Sequence, residues 1–572
     1  MPVYYNDGLD DAVVYDRQAS FVGGQISNFR ENLLNESQAE LLKDLDAPKN
    51  GVLKSRRGFH RFADLLGSTS SSTNVQGIAY FDTDAKEALI VFVNGKIYSI
   101  NSSGTVSNIA SAAVKVNSTT ARVYTAQVAD KLFYTSHNGN DRIGEIKWDT
   151  SSSAFVVTEF PASGTPAAPI NSKYIVSNNF RAFAYQPSDD QIYVSDILAH
   201  AGSTTPFPAG NAFKVGLGDP VTGLASWVGF NVVVFCKNSC YVVDTAPVPA
   251  TSGASTPAAS TFKIRTISAS TGCVSHGSIA QVGEDLFFLS RTGVRSIRRT
   301  MEENMVASDV GVISYPIQDV IDKINWASVE NATATFWNNR YLLSVPTGTS
   351  TVNNTTLCYN TNTQSWTGVW QGTVEEASGT PASTINPYQF VVTQFSGGKP
   401  YLISLDKVGN PLQFRDFIED INLVDTDFQD KTTTTFVDTG WQAVTRAFTF
   451  NEQVTTKDGE FAEFEFDRSN AVIDIGVILD GAEQTDNLAD ELDTGTGEFR
   501  LGNPPAVSHP TIPFDLGSGK LNRFRYSMTQ YPEFRELQFK FQQSGTAGAD
   551  SKYLALRSIH AGGFLNSVGV ES

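Results

Sequence analysis

Ala88-Leu-Ile-Val-Phe-Val93, Asn94-Gly95, Lys96-Ile-Tyr-Ser-Ile100: an apolar run, a two-residue turn and an alternating run, with Ile78-Ala-Tyr-Phe81 just upstream. Asn-Gly between apolar runs predicts a tight β-hairpin, because both central turn residues must adopt positive φ. The pattern recurs outward from this unit. It returns in Val123-Tyr124, Lys131 to Tyr134 and Ile143 to Trp148, then in Arg181 to Tyr185 with Gln191 to Ser195. Further units are Val221 to Trp227 with Val232 to Phe235 and Cys240 to Val243, and Ser278 to Ala280 with Asp285 to Leu289 and Gly293 to Ile297. The last two are Ala332 to Trp337 with Arg340 to Val345, Thr356 to Tyr359 and Trp366, and Gln389 to Val392 with Lys399 to Ser404. Strand sets repeating at roughly 40 to 60 residues predict a β-propeller first and an array of sandwiches second. About seven units are visible, and five to eight blades are expected; a set of unrelated β-meanders is the plainer alternative.

The flanks differ in texture. Residues 1–70 read as an extended arm. Within it Ser37-Gln-Ala-Glu40 resembles a capping box ahead of Leu41, Leu42 and Leu45, which predicts a short helix stopped by Pro48 and Gly51. Residues 71–420 form the propeller-like domain, interrupted by a short helix predicted between Ser314 and Asn325, where Ile317, Val320, Ile321 and Ile324 share a face. Residues 421–572 carry longer, more polar strands, which predict a β-sandwich-like platform with an exposed loop from Asp480 to Gly497. The whole is an all-β chain.

Composition bounds the function. The 572 residues exceed what one hydrophobic core supports, so several domains are expected. A net charge of −18 gives a surface that repels nucleic acid over most of its area, unsuited to gripping DNA but compatible with letting it slide past. Four cysteines in such a length are apolar fillers rather than a disulfide framework. The opening residues lack the order of a secretory signal, and no run reaches the 18 apolar residues of a spanning helix, so no membrane span is expected.

Chemical motifs fail one by one. Gly517-Ser-Gly-Lys520 lacks the first glycine of a phosphate loop and reads as a turn. The six histidines, at 60, 137, 200, 276, 509 and 560, show no metal-pair spacing, and Cys236 with Cys240 has no second ligand pair. The Asp-Thr-Gly triplets at Asp438 and Asp493 sit in turn-rich contexts, where Asp and Gly serve β-turns. The Asp82-Thr-Asp84 loop lacks the glycine of a helix-loop-helix calcium site, and Trp148-Asp149 reads as a strand end. No cofactor, metal or catalytic residue is expected.

Phe21-Val-Gly-Gly-Gln-Ile-Ser27, followed by Asn50-Gly-Val-Leu-Lys-Ser-Arg56-Arg57-Gly58-Phe59, resembles the opening of tail nozzle proteins of short-tailed bacteriophages, also known as tail tubular protein B, tail hub or stabilization proteins. Gln25 interrupts the family's Gly-Gly-Ile element, and Arg57 stands where proline is usual. Tyr193-Val-Ser-Asp196, Gly272-Cys273 with Leu286 to Val294, Arg340 to Leu343, Leu357 to Asn360 and Ser365-Trp366 are similar to deeper family elements. Together these cover roughly 20–420.

The resemblance implies a virion structural protein, assembled in the host cytoplasm. It would form a homo-hexameric ring below a tail adaptor ring, carry tail fibres or spikes, and give the genome a channel and gate without binding DNA specifically. Arg56, Arg57 and Arg61, the dense basic cluster of the arm, are the candidate ring-docking contacts; strand-edge charge is the other reading. A receptor- or carbohydrate-binding tail protein is the alternative, and a propeller hydrolase a more distant one.

Overall fold

The computed structural model describes residues 13–47, 51–65, 74–109, 116–138, 141–159, 169, 171–196, 207–208, 210–216, 218–245, 259–306, 312–371, 385–407, 410–415, 429–430, 437–467, 469, 471–494, 521–544 and 554–565. Within them a seven-bladed propeller is joined to a β-sandwich.

The Asn94-Gly95 turn forms as read, with φ of 51° and 74°, and joins Lys86–Val93 to Lys96–Ile100. With Val75–Thr83 inside and Val106–Asn108 outside, these strands make blade 1. Blades 2, 3 and 4 are four-stranded meanders whose innermost strands are Val123–Val128, Tyr174–Asn178 and Val221–Trp227. Blade 5 has three strands, beginning with Ala280–Val282. The helix Ile297–Val306 follows its last strand directly and packs beside it. Ser296 starts that helix by accepting the Arg299 N–H at its hydroxyl, a side-chain N-cap. Blade 6 begins with Thr333–Trp337 and blade 7 with Pro387–Thr393.

Closure comes from the other end of the chain. Blade 7 receives its fourth strand, Phe59–Arg61, from the N-terminal side, paired antiparallel with Pro411–Phe414. Seven apolar clusters, one between each pair of neighbouring blades, complete the ring; the closing cluster joins Ile78, Leu89 and Val91 of blade 1 to Ile403 and Leu405 of blade 7. Alternating strands bury one face toward each neighbour, which is what the period-two pattern encodes.

The sandwich encloses a separate aromatic core in which Phe464 meets Phe539 and Phe541 edge-on at 5.2 and 5.4 Å. One sheet centres on Lys457–Asp467 and Ala555–Leu565, the other on Val472–Leu479 and Leu537–Gln543. Ahead of Phe59–Arg61, the described strands of the arm are built into this domain: Val13–Gln18 and Leu53–Ser55 pair with Ala555–Leu565, and Gln38–Lys43 pairs with Gln442–Thr445.

Two expectations are corrected. The segment after Ser37 is the strand Gln38–Lys43, not a helix: it is flanked by Gln442–Thr445 and, in parallel, by Gly24–Gln25. Long-range pairing overrides the local helical signal there, and Ser37 bonds Asn35 in a turn instead of capping. The expected exposed loop from Asp480 holds strands Ala482–Glu483 and Ala489–Asp493, with Leu488 and Leu492 buried. Those few apolar residues anchor a segment whose many acids read as loop. The helix predicted between Ser314 and Asn325 is present as Gln318–Asp322 with a preceding turn of 3-10 helix.

Candidate functional site

Several of the residues singled out in the sequence, Gly24 and Arg56 among them, lie at the junction of propeller and sandwich. Gly24 has φ +69° and lies so close to blade 6 that an added Cβ would stand 2.3 Å from the Trp366 carbonyl oxygen. A Cβ added at Gly368 would stand equally close, 2.3 Å, to the Leu45 carbonyl oxygen. Only glycine permits this approach of two backbones. Asp44 N–H donates to Val369 O at 3.0 Å, Trp370 Nε1 to Leu45 O at 3.0 Å, Ser365 Oγ to Val22 O at 2.8 Å and Trp366 Nε1 to Ile313 O at 3.0 Å. Through the pair Lys43–Val369 the sandwich sheet runs on into blade 6.

Three largely buried Asp–Arg pairs anchor the arm, each with its carboxylate on it; that of Asp16 and Arg446 lies within the sandwich, the other two at the junction. Asp44 meets Arg56 Nε at 2.7 Å, Asp16 meets Arg446 Nη2 at 2.5 Å, and Asp46 pairs with Arg340 of blade 6. Arg56 is therefore not a surface docking contact: its side chain is 1% exposed, held by Asp44 and by the Arg57 carbonyl. Arg57 is half-buried beside it. Arg61 lies apart on the strand that closes blade 7 and pairs with Asp64 at 3.3 Å. Arg56 and Arg57 sit in the link between the strands Leu53–Ser55 and Phe59–Arg61, whereas Arg61 ends the second of them, so a cluster that is dense in sequence is divided.

Beside the junction is a cavity of about 280 Å³, lined by Gln25, Glu40, Lys43, Asp319, Lys323 and Gln371 among others. Burial raises the Glu40 carboxyl above the usual range, opposed by the Gln538 amide that donates to it. No His or Cys lines the cavity.

The propeller axis carries the other concentration of polar and aromatic groups. Arg122, just ahead of the innermost strand of blade 2, donates to Asn331 O of blade 6 at 3.2 Å and Tyr388 O of blade 7 at 2.9 Å. Tyr124 packs edge-on against Tyr174 of blade 3 at 5.3 Å, and both meet the His276 ring ahead of blade 5 at 4.7 Å. Side chains thus cross the axis where the innermost strands begin, and the propeller is a packed unit there. Burial, with the Arg122 and Lys173 charges, pushes the His276 imidazole down from 6.5 to about 3, and its Nδ1 accepts the Leu224 N–H at 3.2 Å. The unfolded chain takes up this proton near pH 6.5 and the folded chain only near 3, so stability is full above 6.5 and falls as pH drops toward 3. At pH 4.5 the wild type should lose up to roughly 2 kcal/mol relative to His276→Asn, which keeps an acceptor in place of Nδ1. Urea midpoints at pH 7.5 and 4.5 measure this, and parallel losses in the two proteins would contradict it.

The remaining candidates stay apart. Cys236, Cys240, Cys273 and Cys358 are buried thiols outside any disulfide, and burial pushes the Cys236 and Cys240 thiols up to about 12. Among the described residues no group of three His, Cys, Asp or Glu is placed to hold a metal. Asp438 pairs in the strand Val437–Asp438, away from the strand holding Asp493. Asp82 to Asp84 lies at a hairpin, and Trp148-Asp149 ends the strand Gly144–Asp149. Gly517 to Lys520, His200 and His509 lie outside the described residues.

No protein-family model matches the chain, and no curated protein does. Among solved structures, it is similar to the WD40 β-propeller domain of Doa1, at 10% identity over 62% of this chain and 96% of that one, with a TM-score of 0.35. It is similar also to the CNH domain of AfRom2, at 8% identity over 63% and 97%, with a TM-score of 0.33. The propeller itself follows from the strand pairing and the seven inter-blade cores.

Proposed function

We propose that this chain is a structural subunit of a short-tailed phage tail, a nozzle or hub ring that gives the genome a channel and gate and offers fibres or spikes a platform. The observation that carries the reading is where its motifs lie. Phe21 to Ser27 and Ser365-Trp366 meet at the junction, Arg56 is held in its buried ion pair, and Phe59 opens the strand that closes the propeller. The resemblance is thus carried by the parts that join the two domains, as a load-transmitting ring subunit requires. The crossed propeller axis adds to this, because a channel wide enough for DNA would then run between chains, where acidic subunits repel phosphate.

The receptor-binding alternative calls for a pocket lined by exposed Trp or Tyr with carboxylates, and the junction cavity is lined by neither aromatic. The purified chain is expected to assemble, alone or on its tail partners, into a species of six times its 62.0 kDa, read by mass photometry. A trimer, or a monomer that binds glycans, would overturn the reading.

A further inference from the structure

We propose that the mouth of the propeller, where the innermost strands begin, docks an acidic extended segment of a partner protein over a belt of three cations laid on tyrosine rings. The belt is continuous. Lys407 lies over Tyr388 at 5.6 Å, Arg122 over Tyr388 at 4.9 Å and over Tyr124 at 5.6 Å, Tyr124 against Tyr174 at 5.3 Å, and Lys173 over Tyr174 at 5.3 Å. Blades 7, 2 and 3 contribute to it. All three cations are half-buried, and among the described residues none forms an ion pair with a carboxylate.

In a chain of net charge −18, three half-buried cations on aromatic faces without carboxylate partners are a local reversal of sign. The ring faces, negative at their centres, hold the cations in place. Partial burial strengthens their field toward an incoming anion. Glu330 is the one acid among the described residues whose charge reaches the Tyr124 and Tyr174 rings, and its side chain is exposed.

The floor favours a peptide over an isolated anion. Arg122 Nη1 and Asn353 Nδ2 donate to the same carbonyl, Asn331 O, at 3.2 and 2.7 Å, so the two side chains are neighbours. Arg122 Nε and Asn353 Oδ1 are both buried without a hydrogen-bond partner, and Asn353 is 4% exposed. One leftover donor beside one leftover acceptor matches the C=O and N–H of an extended backbone. The Arg122 fork is spent on carbonyls, which leaves carboxylate contacts to Lys173 and Lys407. The inference holds whether or not the chain is a tail subunit.

The test is fluorescence anisotropy with the full-length chain and three probes: a labelled Glu-rich octapeptide, its Lys-rich counterpart and a single-stranded oligonucleotide of equal negative charge. The acidic peptide is expected to bind, to weaken as salt rises, and to weaken about tenfold in Lys173→Gln/Lys407→Gln. Glu330→Gln, at an exposed position, is expected to tighten binding about two- to threefold and serves if the double variant does not fold. The proposal is overturned if the acidic peptide does not bind, if neither variant changes its affinity, or if the oligonucleotide binds as tightly with the same sensitivity to the variants.

Discussion

Replacing Gly24 by alanine is expected to lower unfolding free energy by on the order of 3–5 kcal/mol, among the largest effects of any single methyl group in the molecule. Two costs add. The left-handed conformation, φ +69°, disfavours any side chain, and the new Cβ would stand 2.3 Å from the Trp366 carbonyl oxygen. That oxygen belongs to a blade 6 strand whose six residues are all buried, so it has little room to retreat. Gly283→Ala separates the two costs, because Gly283 has φ +61° with nothing within 4 Å of its would-be Cβ. It should lose only about 1 kcal/mol. Denaturant midpoints followed by tryptophan fluorescence give both values; equal losses would show that the Gly24–Trp366 contact does not hold the domains together.

The second large effect concerns Arg56. Arg56→Met removes the guanidinium from Asp44, a carboxylate whose side chain is 0% exposed, and breaking this buried pair is expected to cost about 3–5 kcal/mol. Arg61→Met removes a partly exposed pair with Asp64 and should cost about 0–1 kcal/mol. Asp44→Leu combined with Arg56→Met removes both charges, and should recover a large part of the loss. The Gln371 N–H that bonds Asp44 Oδ1 at 3.1 Å keeps the recovery incomplete. Similar losses in the two arginine variants would contradict the assignment of Arg56 to the interior. A double variant no better than Arg56→Met would mean that the arginine acts through packing, not charge.

Much of the propeller was legible because its information is local. Asn94-Gly95, and the alternation on either side, need only a hairpin to make sense, and each of the seven units repeats that logic. The arm was not legible because its strands have partners hundreds of residues away: Val13–Gln18 pairs near the far end of the chain, and Phe59–Arg61 with Pro411–Phe414. A strand with so distant a partner carries no local mark of it, and Leu41, Leu42 and Leu45 satisfied a helical pattern equally well. The helix Ile297–Val306 was hidden by the apolar run leading into it; Ser296 was its one signal, as an N-cap.

The site residues divide in the same way. Arg56 and Arg61 were visible as a basic cluster, but their fates depend on Asp44 and Asp64 and on the link that carries the chain from the sandwich strand Leu53–Ser55 to the blade 7 strand Phe59–Arg61. The belt of Arg122, Lys173 and Lys407 was missed because those residues are far apart in sequence. A faint signal existed: Arg122 and Lys173 each stand just ahead of a strand with a tyrosine at its start, Tyr124 in second place and Tyr174 in first. Only the propeller's circular closure brings them together with Tyr388.

Cryo-electron microscopy of tails carrying this protein decides whether it is the proposed ring subunit with a channel between chains. The predicted result is a six-fold ring in which each propeller axis stays crossed by Arg122, Tyr124, Tyr174 and His276 while the DNA path runs along the common axis. A chain found as trimers at the tips of fibres, or a DNA path running through a propeller, would contradict it.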